Sequence, residues 1–409
     1  MYHPSIHETN GFLSIILPES KETFKEVIVD FSLTEEQKML AASIRDLFKK
    51  EFPRSYLREL DAKSQYPLDI YNRLAELGLL GLPFPEKYGG SGGNYLDFIV
   101  LLEALCKESM LAGSVYLFNV GFGGTTLLRW GTEEQKNFYL PKLIEGKFKF
   151  GLCFTEPNAG SDLASITTSA VPVDGGFKIN GSKTFSTGAH VADRVFVLTR
   201  TDKTVSKHKG LSLLIVDTKS PGIEIHPFEV LGVRGCGEND VYFSDLFVPA
   251  DQVIGGKLNQ GWEILNSILT IERLSLSAQC VGNMQAILDD ALDYAKQRVQ
   301  FGQPIGKFQA IQHMLAEMYI DLQAARLLTY RVGWLLNTGQ PYQAEASAAK
   351  VFASEAFVSL ANKGMQIMGG AGYTMDQDMQ RYLRDARMFP IGGGTTQIQK
   401  NIIAKSLGL

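Results

Sequence analysis

From residue 32 to about residue 149, apolar residues recur at three- and four-residue spacing, as in Leu40, Ile44 and Leu47, the repeat of an amphipathic helix. Thr34, followed by Glu35, Glu36 and Gln37, predicts a helix start with Thr34 as its N-cap. A Pro- and Gly-rich stretch over residues 81–93 interrupts the pattern, and helical spacing resumes over 95–106. From about residue 150 to 254 the texture changes to short β-branched and aromatic runs at 177–181, 194–199, 211–216 and 241–248. Turn signals such as Asp174-Gly175-Gly176 and Asn180-Gly181 separate these runs. No helices alternate with the strands, so the pattern predicts a compact antiparallel, barrel-like β-domain and excludes a Rossmann unit. Helical period returns from Gly261 onward, over 291–300, 308–337 and 344–368, and predicts a four-helix bundle. The expected fold is α+β: an extension over residues 1–30, a helical domain over 31–150, a β-domain over 151–256 and a helical bundle over 257–409.

Composition narrows the function classes. A chain of 409 residues with 45% hydrophobic and 21% charged residues can bury a large core. A net charge of −4 gives no reason to expect nucleic acid or an anionic membrane as partner. Cys106, Cys153, Cys236 and Cys280 lack metal-ligand or CxxC spacing, which predicts reduced thiols, a cytoplasmic setting and no metal site. The extension has a short apolar run over 11–18. His3 and His7 precede it and Glu19, Glu22 and Glu26 follow, unlike a secretory signal or transit peptide. No apolar stretch is expected to reach the ~20 residues of a membrane span.

The chemistry concentrates in three strings. Thr155-Glu156-Pro157-Asn158-Ala159-Gly160-Ser161-Asp162 combines hydroxyls with flexible backbone at the entrance to the β-domain, suited to a phosphate or a heterocycle edge. Far along the chain stands Gln366-Ile367-Met368-Gly369-Gly370-Ala371-Gly372-Tyr373, followed by Asp376, Arg381 and Asp385. Between them lies Arg298-Val299-Gln300-Phe301-Gly302, with Ile305 and Gln309 beyond it.

These strings, in this order, resemble the acyl-CoA dehydrogenase family over nearly the whole chain beyond the extension. The resemblance implies FAD, with Thr155 directed at flavin N5 and with Phe154, Gly160 and Ser161 beside the cofactor or its acyl partner. Phe185 and Thr187 match the family's aromatic and hydroxyl on the far face of the flavin. Phe154 stands where an aliphatic residue is usual, and Phe185 where Trp or Tyr is usual. Arg298, Phe301, Gln309, Gln366, Gly369 and Gly370 look like the set that holds a neighbouring subunit's FAD. A guanidinium at Arg298 suits pyrophosphate oxygens. A homotetramer and an electron-transfer flavoprotein as electron acceptor follow from the same resemblance.

The family removes an α-proton from an acyl thioester while the β-hydride passes to flavin, so one carboxylate must act as base. Many members place that glutamate where this chain has Gly393, in Gly392-Gly393-Gly394-Thr395-Thr396-Gln397. The alternative position, used by isovaleryl- and long-chain-type members, falls here on Glu272, in Ile271-Glu272-Arg273. On a helix Glu272 shares its face with Ile268, Leu269, Ser275 and Leu276, which predicts burial and an elevated carboxyl pKa. Arg273 points about 100° away and need not neutralise it. Gly393 leaves room for Glu272, and its N–H is expected to bond the thioester oxygen. Thr395 and Gln397 are expected at the cofactor, while Ser161, Leu269, Arg273, Gly393 and Gly394 line the acyl channel.

The resemblance implies an acyl-CoA substrate. Gln340-Pro341 replaces a basic pair that binds CoA phosphate in some members, so a carrier-protein-bound acyl or aminoacyl thioester is the alternative. A second alternative, motivated by the missing loop glutamate, is a non-catalytic FAD-binding subunit. An oxidase is less expected, because acyl-CoA oxidases carry a further C-terminal domain. Three other polar residues receive other expectations: Glu103 a buried structural or channel-floor role, Glu156 the organisation of its loop, and His190 the surface.

Overall fold

The computed structural model describes residues 32–409, so the expectation of an N-terminal extension over 1–30 lies outside the described residues. The first helices are α1 (Glu35–Glu51), α2 (Arg54–Ala62), α3 (Leu68–Glu76) and α4 (Tyr95–Glu108). Thr34 accepts from the Gln37 N–H, and the Gln37 side chain answers to the Thr34 N–H, which closes a capping box at α1. Then come α5 (Met110–Tyr116), α6 (Thr125–Trp130) and α7 (Glu133–Ile144). Between α5 and α6 the helix continues with wider π-type bonding over Leu117–Gly124. The run Met110–Trp130 has 21 residues and a mean hydropathy of 1.2, so one apolar helix of spanning length does exist, contrary to expectation. Its interior placement explains it: 83% of its most apolar window is buried within the protein, as in the core helix of a globular domain.

The middle sheet has seven strands: β1 (Phe150–Cys153), β2 (Ser169–Val173), β3 (Gly176–Lys183), β4 (Arg194–Arg200), β5 (Leu211–Asp217), β6 (Ile223–Phe228) and β7 (Glu238–Pro249). The order is β1-β4-β2-β3-β7-β6, with β5 on the other edge of β4. Most neighbours are antiparallel, but β1 runs parallel to β4, with Phe150 opposite Arg194, and β2 meets β4 in parallel at Ser169 and Arg200. Strands β1, β2 and β6 escape the sequence pattern because they are short, and β6 is half-exposed. Strands β4 and β5 read as unbroken apolar runs for a physical reason. Val195, Val197, Leu214 and Val216 face the core of the sheet, and Phe196, Leu198, Leu213 and Ile215 face the helical core on the other side.

The helices after the sheet are α8 (Gly261–Gln297), α9 (Gln309–Asn337), α10 (Gln343–Met368), α11 (Met379–Ala386) and α12 (Thr396–Ser406). A small hairpin, β8 (Val299–Gln300) and β9 (Gln303–Pro304), joins α8 to α9. The expected helix over 291–300 is therefore the end of the 37-residue α8, and its last two residues are strand. Three long helices form the bundle; α4 packs against α8, and α12 against α10. From Ile268 to Leu288 nearly every position of α8 is buried, polar ones such as Ser275, Ser277, Gln279 and Asn283 included, because neighbours pack around it on all sides.

Candidate active site

Glu272 sits in the first half of α8, half-buried and enclosed by protein, between Ile268 and Leu276, which are both buried. Among the described residues its carboxylate has no hydrogen-bond or ion-pair partner. Burial pushes it up to about 7, against the pull of Arg273 and Lys350. Ser275, the hydroxyl on the same face, is committed to the Ile271 carbonyl at 2.9 Å and offers Glu272 nothing. Arg273 is buried beside it without forming an ion pair. Its Nη1 reaches Thr270 Oγ1 at 3.3 Å, and its buried Nε has no partner.

Gly393 faces this carboxylate. A Cβ there would lie 3.1 Å from Glu272 Oε1 and 2.4 Å from Leu276 Cδ1, and the backbone is left-handed with φ +64°. Only glycine meets both conditions without strain. Gly394 follows at φ +85°, and Thr395 caps α12 by accepting from the Ile398 N–H. Among the described residues, the N–H groups of Gly393, Gly394 and Thr395 have no acceptor. Their carbonyl side is tied instead. Lys350 Nζ donates to the Gly394 carbonyl at 2.8 Å, and Gln399 Nε2 donates to the carbonyls of Gly393 at 2.9 Å and Gly394 at 3.1 Å.

The loop at 155–162 belongs to a second cluster. Thr184 N–H donates to the Thr155 carbonyl at 2.9 Å, which sets Thr155 beside Phe185. Phe185 is 61% exposed at φ +51°, with the Phe228 ring standing edge-on to it at 5.4 Å. Thr187 has its hydroxyl proton committed to Glu238 Oε1 at 2.8 Å, so only its lone pairs remain for a ligand. Phe154 is buried, while Gly160 and Ser161 are exposed, and a Cβ on Gly160 would meet nothing within 4 Å. Glu156 organises this loop from beneath. It accepts from Thr167 N–H, Thr167 Oγ1 and Thr168 N–H at 2.8–2.9 Å and from Lys183 Nζ at 2.9 Å. Glu103 is structural, holding Arg326 and the Tyr330 hydroxyl, and His190 is exposed. An exposed aromatic ring and the Thr155 hydroxyl, with no partner among the described residues, fit a planar heterocycle with a polar edge, and the free N–H groups of residues 393–395 separately suit an oxygen that carries negative charge.

The remaining candidates stand elsewhere. Arg298 lies 26 residues beyond Glu272, about 39 Å along the axis of α8 at ~1.5 Å per residue. Gly364 meets Ile287, so the last turns of α10, with Gln366, Gly369 and Gly370 beyond, run beside the far half of α8. Arg298, Phe301, Gln309, Gln366, Gly369 and Gly370 are all exposed, and Phe301 is 93% exposed. One chain therefore presents two separate halves of the predicted cofactor set. Thr395 and exposed Gln397 stay at the Glu272 end. Sequence reasoning missed Lys350 and Gln399. For Lys350 a signal existed: a lysine on the same helix as Ala346, Ala349 and Ala353, all buried.

Three family models match the chain in order: the N-terminal domain of acyl-CoA dehydrogenase over residues 34–147, the middle domain over 151–246 and the C-terminal domain over 259–408. A probable acyl-CoA dehydrogenase of Bacillus subtilis (strain 168) is 38% identical over 93% of this chain and 100% of its own. A subunit of the caffeyl-CoA reductase–Etf complex of Acetobacterium woodii is 37% identical over 91% of this chain and 98% of its own. The structure of butyryl-CoA dehydrogenase from Megasphaera elsdenii superposes with a TM-score of 0.89 at 32% identity, covering 93% of this chain and 100% of that one.

Proposed function

The chain belongs to the acyl-CoA dehydrogenase family, and from that premise we propose that it dehydrogenates an acyl-CoA thioester between the α and β carbons with Glu272 as the base. It is a flavin-dependent oxidoreductase with FAD as cofactor, in the helical–sheet–helical fold of the family. FAD, when bound, supplies the acceptor for the β-hydride. The chain's own residues do the rest. Glu272 takes the α-proton; its position near 7 leaves about half of it ionised at neutral pH yet makes it basic enough to accept a proton from carbon. The free N–H groups of Gly393 and Gly394 receive the thioester oxygen as negative charge develops on it. Leu269 and Leu276 exclude water around the carboxylate, and Arg273 lines the channel with a buried, unsatisfied Nε. Thr155, Phe185 and Thr187 hold the ring of the cofactor, with Ser161 at the acyl side.

The observation that carries this reading is an unpaired carboxylate facing a glycine that has no room for any side chain. It also weighs against a silent cofactor-binding subunit, which has no use for such an arrangement. The exposed set at Arg298, Gln309, Gln366 and Gly369–Gly370, some 39 Å away at ~1.5 Å per helical residue, supports a homotetramer in which these residues complete a neighbour's FAD site. A groove lined by His208, Lys209, Asn259 and Trp262 near the start of α8 suits the polar carrier end of the thioester. Electrons leave to an electron-transfer flavoprotein, and the four unpaired, buried cysteines accord with the cytoplasm. The test is anaerobic bleaching of the FAD-loaded protein by short, branched, long and carrier-bound acyl thioesters. Bleaching by CoA esters supports the proposal, bleaching by carrier-bound esters alone moves the substrate to the carrier class, and a flavin that stays yellow throughout ends it.

A further inference from the structure

The glycine loop beside Glu272 is held from behind by two buried side chains that have no place in the chemistry itself. Lys350 and Gln399 are 1% and 0% exposed. Lys350 carries three N–H donors and, among the described residues, makes one hydrogen bond, to the Gly394 carbonyl. Gln399 grips the carbonyls of both Gly393 and Gly394 through Nε2, which fixes its orientation and leaves Oε1 buried without a partner. A peptide unit is planar and trans, so its C=O and N–H point in opposite directions. Anchoring the Gly393 carbonyl therefore aims the Gly394 N–H, and anchoring the Gly394 carbonyl aims the Thr395 N–H. Glycines at φ +64° and +85° have little intrinsic preference to hold such a conformation, so the direction must come from outside the loop.

We propose that Lys350 and Gln399 are positioning residues that hold the Gly393–Gly394 and Gly394–Thr395 peptide units, and through them aim the Gly394 N–H, in a preformed oxyanion cradle. This rests on the dehydrogenation proposed above and adds the residues that make the loop rigid. Loss of a preorganised oxyanion donor costs ~10²–10³ in rate; losing its anchor, rather than the donor, costs less. Lys350 has a second handle on the reaction. Its ammonium is buried within electrostatic range of Glu272, Arg273 and Cys280 on α8 and of the exposed Glu355 on its own helix, so its charge favours the ionised form of Glu272.

The experiment measures rapid flavin reduction by a bleaching acyl-CoA in FAD-loaded Lys350→Met, Lys350→Gln and Gln399→Leu. The expected result is a reduction rate at least about tenfold lower in Lys350→Met and Gln399→Leu, with substrate affinity changed by less than about threefold. Lys350→Gln, which keeps a donor without the charge, recovers part of the rate. The acid limb of its pH profile moves upward, because the cation that favoured ionised Glu272 is gone. Rates within twofold of the parent in both Lys350→Met and Gln399→Leu overturn the proposal, as does an equal loss of affinity and rate. Should Lys350→Met fail to fold, Lys350→Gln and Gln399→Leu decide the matter by the same criteria. If no thioester bleaches the parent protein, the proposed reaction fails on its own. The cradle is then judged by the crystal structure of Lys350→Gln and Gln399→Leu, where unchanged Gly393 and Gly394 carbonyl directions overturn it.

Discussion

Two glutamates buried in this molecule meet opposite fates. Glu156, beneath the loop at 155–162, and Glu272, in the first half of α8, both lose water, and burial alone would raise both carboxyls. Around Glu156 the fold places Lys183 and three further donors, which overcome burial and hold the carboxyl down at about 2. Around Glu272 it places aliphatic side chains, a glycine and two cations, Arg273 and Lys350, that act without a hydrogen bond to it, and the carboxyl stays at about 7. The Lys183 ammonium, 0% exposed, is itself pushed down by burial to about 8 despite its partner. Burial therefore does not make a base. A carboxyl suited to act as a base arises where burial is left largely uncompensated, and a loop organiser where it is matched donor for donor.

The comparison breaks most visibly at the paired site. Lys183→Met leaves Glu156 enclosed without its cation and is expected to cost about 3–5 kcal/mol of stability, measured by denaturant unfolding. A loss below 1 kcal/mol would mean the pair is not needed to hold the loop. At the unpaired site, Glu272→Gln keeps shape and FAD but is expected to lose at least ~100-fold in turnover. Near-normal turnover would show that the proton goes to another group.

The same substitution is expected to stabilise the protein where Glu272 is ionised. A carboxyl raised from 4.5 to about 7 on folding favours the folded state fully below pH 4.5, and that contribution is lost as pH rises through 7. Glu272→Gln should therefore unfold later than the parent at pH 8, by up to ~3 kcal/mol, and gain less than ~1 kcal/mol over the parent at pH 5. Equal gains at both pH values would point to packing rather than charge. Smallest in energy, the parent's flavin-reduction rate should fall about tenfold between pH 8 and pH 6, tracking ionisation of a base near 7. A flat profile over that range would place the base's pKa below it. Glu156 has the opposite sign: its contribution is present above pH 4.5 and is lost only as pH falls toward 2.

Much of the architecture was legible in local pattern. Long amphipathic stretches gave α4, α9 and α10 nearly to the residue, because helical period accumulates evidence over many turns. Short strands such as β1 and β6 gave no such accumulation. The length of α8 was hidden for a related reason: a helix buried on all sides has no polar face to reveal its period.

Residue types and spacing along the chain determined the family resemblance, the choice of Glu272 over the glycine loop, and the roles of Glu103 and Glu156. Tertiary structure alone decided that Glu272 has no partner among the described residues, that Lys183 answers Glu156, that Lys350 and Gln399 grip the glycine loop, and that Arg298 stands far from Glu272 of its own chain. The physical reason is range. Helical period and capping act over a few residues and are written locally, whereas compensation of a buried charge depends on groups brought from distant points of the chain: Lys183 stands 27 positions from Glu156, and Lys350 stands 44 positions from Gly394.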